Sequence, residues 1–151
     1  MQNDHNRAVR GEVQGWSPGA TRRNMAFLMG VEVEKLTGAG CTFTLTVRDC
    51  PATADDWHKL RRAFEKRMRR AGMIRMHWVT EWQRRGVPHL HGVLWFEGKC
   101  HDLAAIVNAW TAVAGPWGAS PRGQHARPLD NAIGWFRYLS KHAVRGVKHY
   151  Q

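Results

Sequence analysis

Twice between Met73 and Phe96 apolar and polar side chains alternate, and only residues 83–87 separate the two runs. Strand side chains point to opposite faces in turn, so two such runs joined by a short loop containing Gly86 predict an antiparallel hairpin. In the first run Ile74, Met76, Trp78 and Trp82 share a face, and Arg75, His77, Val79 and Glu81 share the other. In the second, Leu90, Leu94 and Phe96 oppose His89, His91, Val93 and Trp95. Pro88 is tolerable because it opens the strand. Residues 41–48 alternate as well, with Cys41, Phe43, Leu45 and Val47 against Thr42, Thr44, Thr46 and Arg48. A short strand is expected over 124–129.

Helical spacing fills the intervals. Ser17 followed by Pro18 predicts a helix start, and Met25, Leu28, Met29 and Val31 follow it. Thr53, with Asp56 three residues on, caps a second helix on which Trp57, Leu60, Phe64 and Met68 recur. Asp102 caps a third, carrying Leu103, Ile106, Val107 and Trp110, which Gly115-Pro116 stops. Asp130 caps a fourth, running to about Ala143. Residues 1–15 read as a flexible tail and 16–151 as one domain without internal repeats. The class is α+β: an antiparallel sheet with helices on one face and a wet face carrying Thr42, Thr44, Thr46, Arg75, Glu81, His89 and His91.

Charge narrows the partner. Lys and Arg number 23 against 12 acids, a formal net charge of +11. A domain this basic is built to meet an anionic polymer or surface. No apolar run approaches the roughly 20 residues that cross a bilayer, and no signal-peptide pattern opens the chain. Cys41, Cys50 and Cys100 form no CxxC pair, which fits a reducing compartment. The expectation is a cytoplasmic protein without a membrane partner.

His89-Leu90-His91 projects two imidazoles from one strand face, their Cα atoms roughly 6.6–6.8 Å apart. Such a pair arises often by chance on surface strands, so the context matters. With the hairpin centred on Gly86, Glu81 pairs opposite His91 and shares that face. Two imidazoles and one carboxylate hold a divalent cation and leave positions open, which suits catalysis. Manganese or magnesium tolerates such a set, and the sequence does not choose between them. His77 lies about 13 Å along the strand from Glu81, too far to join the ligands; it reads as a surface or substrate-contacting side chain.

The chain has two tyrosines, Tyr138 and Tyr150. On the last helix Ala132, Phe136, Leu139 and Ala143 form the apolar stripe, which turns Gly134, Tyr138, Lys141 and Arg145 to the other side. An amphipathic surface tyrosine is common. Beside Lys141 and a bound cation, however, the Tyr138 hydroxyl is a candidate nucleophile. Candidate DNA contacts are Thr44, Thr46 and Arg75 on the wet face, Arg61, Arg62 and Lys66 on the second helix, and Arg145. Of eight tryptophans, Trp57, Trp78 and Trp110 read as core, while Trp16, Trp95 and Trp117 are open questions. An exposed one can stack on an unpaired base.

These residues resemble the HUH endonucleases, in particular the single-tyrosine rolling-circle replication initiators of plasmids and phages. Phe43-Thr44-Leu45-Thr46 is similar to their first motif, Pro88-His89-Leu90-His91-Gly92 to their metal motif, and Tyr138-Leu139-Ser140-Lys141 to their Tyr-x-x-Lys motif. The resemblance spans residues 41–143. It implies a ferredoxin-like or RNA-recognition-like sheet, metal held by His89, His91 and Glu81, and attack by Tyr138 assisted by Lys141. The implied product is a 5′-phosphotyrosyl link with a free 3′-hydroxyl, on single-stranded DNA of an origin hairpin, with host replication proteins as further partners. Some initiators place a second tyrosine one turn after the first, where His142 stands here. A single-tyrosine insertion-sequence transposase and a non-catalytic DNA-binding module with a vestigial metal site remain as alternatives.

Overall fold

The computed structural model describes residues 17–83, 85–98 and 102–142, the last two by backbone alone. The elements follow the expected order: α1 (Pro18–Met29), β1 (Ala39–Thr46), α2 (Ala54–Arg70), β2 (Met73–Trp82), β3 (Pro88–Phe96), α3 (Leu103–Ala114), β4 (His125–Pro128) and α4 (Ala132–His142). The four strands pair antiparallel in the order β2-β3-β1-β4. With one helix between β1 and β2 and one between β3 and β4, this is the β-α-β-β-α-β arrangement of ferredoxin-like sheets.

The caps explain the helix starts. Ser17 accepts from the Ala20 amide, Thr53 from Asp56, and Asp102 from Ala104. In each case a short polar side chain satisfies an amide that the first turn leaves open. The last helix departs from expectation by one residue: Asn131, not Asp130, accepts from the Gly134 amide at 2.9 Å. No helix among the described residues is long and apolar enough to cross a membrane.

One sheet face meets α2 and α3. Phe43, Leu45, Leu90, Leu94 and Phe96 pack there on Trp57, Phe64, Ile106 and Trp110. Phe64 and Trp57 both meet Trp110 edge to face, at 5.8 and 5.7 Å between ring centroids, the geometry that aligns positive ring edges with negative faces. The two buried indoles have acceptors: Trp57 donates to Thr80 Oγ1 at 2.9 Å and Trp110 to the Thr46 carbonyl at 2.8 Å.

The second face is wet over only part of its area. Val79, Val93 and Trp95 are buried there with Leu28 of α1 and Phe136 and Leu139 of α4. The apolar residues among those assigned to the wet strand faces mark this second layer, because a sheet covered on both sides loses its polar alternation. The remaining area, bearing Glu81, His89, His91 and Thr44, forms a cleft.

Two sequence expectations are corrected in β2. A register irregularity between Met73 and Arg75 sends Met73 into the core and leaves Ile74 exposed, as a bulge does when it adds a residue to one strand. His77 is not a surface side chain; its ring lies 6.2 Å from that of Phe27 and 6.1 Å from that of Phe136. The tryptophans sort cleanly: Trp57, Trp95 and Trp110 are buried, Trp78 and Trp117 half-buried against the core. Trp16 lies outside the described residues. Cys50 is free, whereas Cys41 is disulfide-bonded, contrary to the reading of all three cysteines as thiols.

Candidate active site

The hairpin turns over residues 83–87, closed by the Gln83 amide on the Val87 carbonyl at 2.9 Å, with Gly86 at φ +78°. A positive φ costs glycine nothing, which is why the turn sits there. The resulting register places Glu81 opposite His89, not opposite His91 as a turn centred on Gly86 would have it. The centre moves by one residue to Arg85, which shifts the partner by two positions and so preserves the face. Glu81, His89 and His91 therefore still project together. On the other side of β3, His91 faces Thr44 and His89 faces Thr46.

His91 is buried at 5% exposure. Its Nδ1 lies 3.1 Å from Thr44 Oγ1, a hydrogen bond that turns Nε2 toward the carboxylate of Glu81. Nε2 stands 2.9 Å from Glu81 Oε2, close enough for an ion pair but not aligned for a hydrogen bond. The His89 ring is 5.5 Å from that of His91. Its buried Nε2 has no hydrogen-bond partner. Burial, then the neighbouring His91 and Arg85, lowers the His89 pKa to about 4, so it is neutral near pH 7, the form that ligates metal.

No three His, Cys, Asp or Glu side chains among the described residues are drawn into a finished ligand cage, because Glu81 contacts His91 directly. The donor chemistry nonetheless fits a divalent cation. Two imidazoles and a carboxylate share a face, and one buried imidazole nitrogen has no hydrogen-bond partner.

Tyr138 forms the opposite wall. Its side chain is 41% exposed, and its ring lies 6.3 Å from that of His91 and 5.1 Å from that of Trp135. It lines one cleft with Thr44, Glu81, Trp82, Gln83, Arg85, His89 and His91. It also lines an adjoining groove with Thr42, Thr44, His125, Arg127 and Trp135. Lys141 follows one turn later on α4; its side chain, and all of Arg145 and Tyr150, lie outside the described residues.

The other candidates are distributed unevenly. The Thr44 hydroxyl is occupied by His91, and Thr46 receives Arg85 Nη2 at 3.3 Å, so both organise the cleft. Arg75 is six residues from Glu81 along β2, roughly 20 Å away. Arg61, Arg62 and Lys66 belong to α2, on the opposite face of the sheet from His89 and His91. Arg61 is further occupied by Glu65 at 2.8 Å and by the Trp78 ring at 4.3 Å. What remains to that helix is its long-range field.

Arg85, His125, Arg127 and Trp135 line the site without having been singled out from sequence. Arg85 ties the hairpin turn to the end of β1 through the Val47 and Arg48 carbonyls, at 2.7 and 3.2 Å. Alternation of His125 and Arg127 within the short fourth strand was the available signal for that pair. It is uninformative until β4 is known to lie beside β1.

A ferredoxin-like sheet bearing an imidazole pair, a carboxylate and a facing tyrosine in one cleft defines a candidate phosphoryl-transfer domain. The chain belongs to a family of replication-associated proteins, the ORF2 type of phages and plasmids, whose model matches residues 40–143. It is 66% identical over 151 residues to a Xylella fastidiosa strain Temecula1 chain named "putative replication protein", covering 100% of this chain and 57% of that one. It is 56% identical over 147 residues to a replication-associated protein of Pseudomonas phage Pf3, covering 96% of this chain and 53% of that one. The chain thus spans about half the length of the curated relatives it matches. No solved structure matches it.

Proposed function

We propose that this chain is the nicking domain of a replication initiator of the HUH type. It cuts single-stranded DNA at an origin hairpin through Tyr138 and retains the new 5′ end as a phosphotyrosyl ester. The carrying observation is that the Tyr138 ring stands 6.3 Å from that of His91, in the cleft that also holds Glu81 and His89. Family membership supports a role in replication.

In this reading the Tyr138 oxygen attacks phosphorus and the bond to the 3′-oxygen breaks. The phenolic proton leaves the tyrosine and the departing 3′-oxygen is protonated, so the products are a tyrosyl phosphodiester and a 3′-hydroxyl able to prime synthesis. Glu81, His89 and His91 would hold manganese or magnesium, which when bound supplies a Lewis acid that polarises a phosphate oxygen. Thr44 orients His91 from behind, as second partners of ligating histidines do. Lys141, one turn after Tyr138, supplies charge toward the transferring phosphate.

The test is incubation of the protein with manganese and a mixed pool of single-stranded oligonucleotides, followed by denaturing electrophoresis. An SDS-resistant protein–DNA adduct is expected. Cleavage with no adduct would assign the reaction to water as nucleophile.

A further inference from the structure

We infer that the groove between β1, β4 and α4 is a binding subsite for one nucleotide adjoining the cut phosphate, with Arg127 taking a phosphate and Trp135 the base. This rests on the nicking reading above and adds to it the path of the strand. A strand whose scissile phosphate lies at Tyr138 must leave that point in two directions. The cleft of Glu81, His89 and His91 accounts for one. The groove is the other, because it shares Thr44 and Tyr138 with that cleft.

Its chemistry suits a nucleotide. Thr42 pairs across to Arg127 and Thr44 to His125, so the two basic side chains alternate on the same face as the cleft. Both are exposed. Arg127 has no acidic partner among the described residues, and no carboxylate lines the groove. The floor is already satisfied: Thr42 Oγ1 donates to the Arg127 carbonyl at 3.4 Å, and Thr44 Oγ1 contacts His91 Nδ1. Polar recognition of a ligand therefore falls to Arg127 and His125. Trp135 is half-buried and stacked on Tyr138 with an interplanar angle of 27°, an aromatic wall held in place beside the nucleophile. A guanidinium for phosphate beside an aromatic ring for a base face is the pairing that single-strand binders use, tolerant of base identity.

The experiment is fluorescence anisotropy with an end-labelled, mixed-sequence single-stranded oligonucleotide, in EDTA so that binding is read without cleavage and across a salt series. Trp135→Leu should weaken binding about tenfold. Arg127→Gln should make the slope of log affinity against log salt shallower by about 0.7, the loss of one phosphate contact on a single strand. Manganese affinity, read by calorimetry, should be unchanged in Arg127→Gln. If Trp135→Leu also loses manganese binding, α4 has been disturbed, and the exposed Arg127→Gln decides alone. Wild-type binding with an unchanged slope in Arg127→Gln overturns the subsite and leaves the nicking reading standing. A wild-type protein that binds no single strand overturns both.

Discussion

The Glu81 carboxylate reaches His91 Nε2 at 2.9 Å, although the strand register sets Glu81 opposite His89. The contact is diagonal across the hairpin. It brings the carboxylate between two imidazoles at the floor of a cleft whose far wall is Tyr138.

Metal affinity should follow this geometry. His89→Ala and His91→Ala are expected to abolish measurable manganese binding in calorimetric titration while the far-ultraviolet circular dichroism is retained. Glu81→Ala should be milder, since the imidazole pair survives. Thr44→Val, which touches no ion but removes the partner of His91 Nδ1, should cost about 10- to 100-fold in affinity. Wild-type affinity in Thr44→Val would show that the ring is oriented by packing alone.

Tyr138→Phe removes a hydroxyl from a ring that is 41% exposed, so folding and manganese binding should persist. Cleavage and the covalent adduct should both vanish. Comparable nicking by Tyr138→Phe would transfer the nucleophile role to water. Tyr150→Phe should leave the first cleavage intact.

The basic face of α2 lies behind the sheet. Replacing Arg61, Arg62 and Lys66 together by Gln should therefore slow association with DNA, most at low salt, and leave the dissociation rate and the cut sequence unchanged. Stopped-flow binding at two ionic strengths separates the cases. A faster dissociation would mean that α2 touches the strand.

Acid should destabilise the fold through His77. Burial lowers its pKa to about 4, against an unfolded value near 6.5. Between those values the unfolded chain binds the extra proton. Stability is therefore greatest above pH 6.5, falls as pH drops through the window, and loses about 3 kcal/mol from this residue by pH 4. His89, held to about 4 chiefly by burial, adds to the same slope. Urea unfolding of His77→Phe, which keeps a ring between Phe27 and Phe136, should show a visibly flatter pH dependence; an identical one would place the effect elsewhere.

Gly92 follows the two histidines because there is no room for more. A Cβ there would stand 2.4 Å from the His77 carbonyl oxygen and 2.4 Å from Phe43 Cζ. Gly92→Ala should cost about 1–3 kcal/mol of stability by overpacking, measured as a lower denaturation midpoint. Wild-type stability would show that Phe43 and the β2 backbone yield freely.

Local order was legible in the amino acids alone. Period-two alternation marked which residues are strand and which share a face, because successive side chains must point opposite ways. That is enough to put Glu81, His89 and His91 together whichever residue centres the turn, since moving the turn by one residue keeps odd-numbered positions on one face. Capping residues likewise marked the helix starts to within one position, because an unsatisfied first-turn amide is a local problem. Whatever depends on partners distant along the chain was settled by tertiary packing. The turn hydrogen bond from Gln83 to Val87 and the Arg85 contacts with β1 accompany the register that opposes Glu81 to His89. The burial of Leu28, Phe136 and Leu139 brought α1 and α4 onto the second face and carried Tyr138 to His91. That placement also put α2 and its arginines behind the sheet and set Arg127 beside Thr42. An amphipathic helix records that it has a buried side but not which surface buries it, and those choices make the cleft.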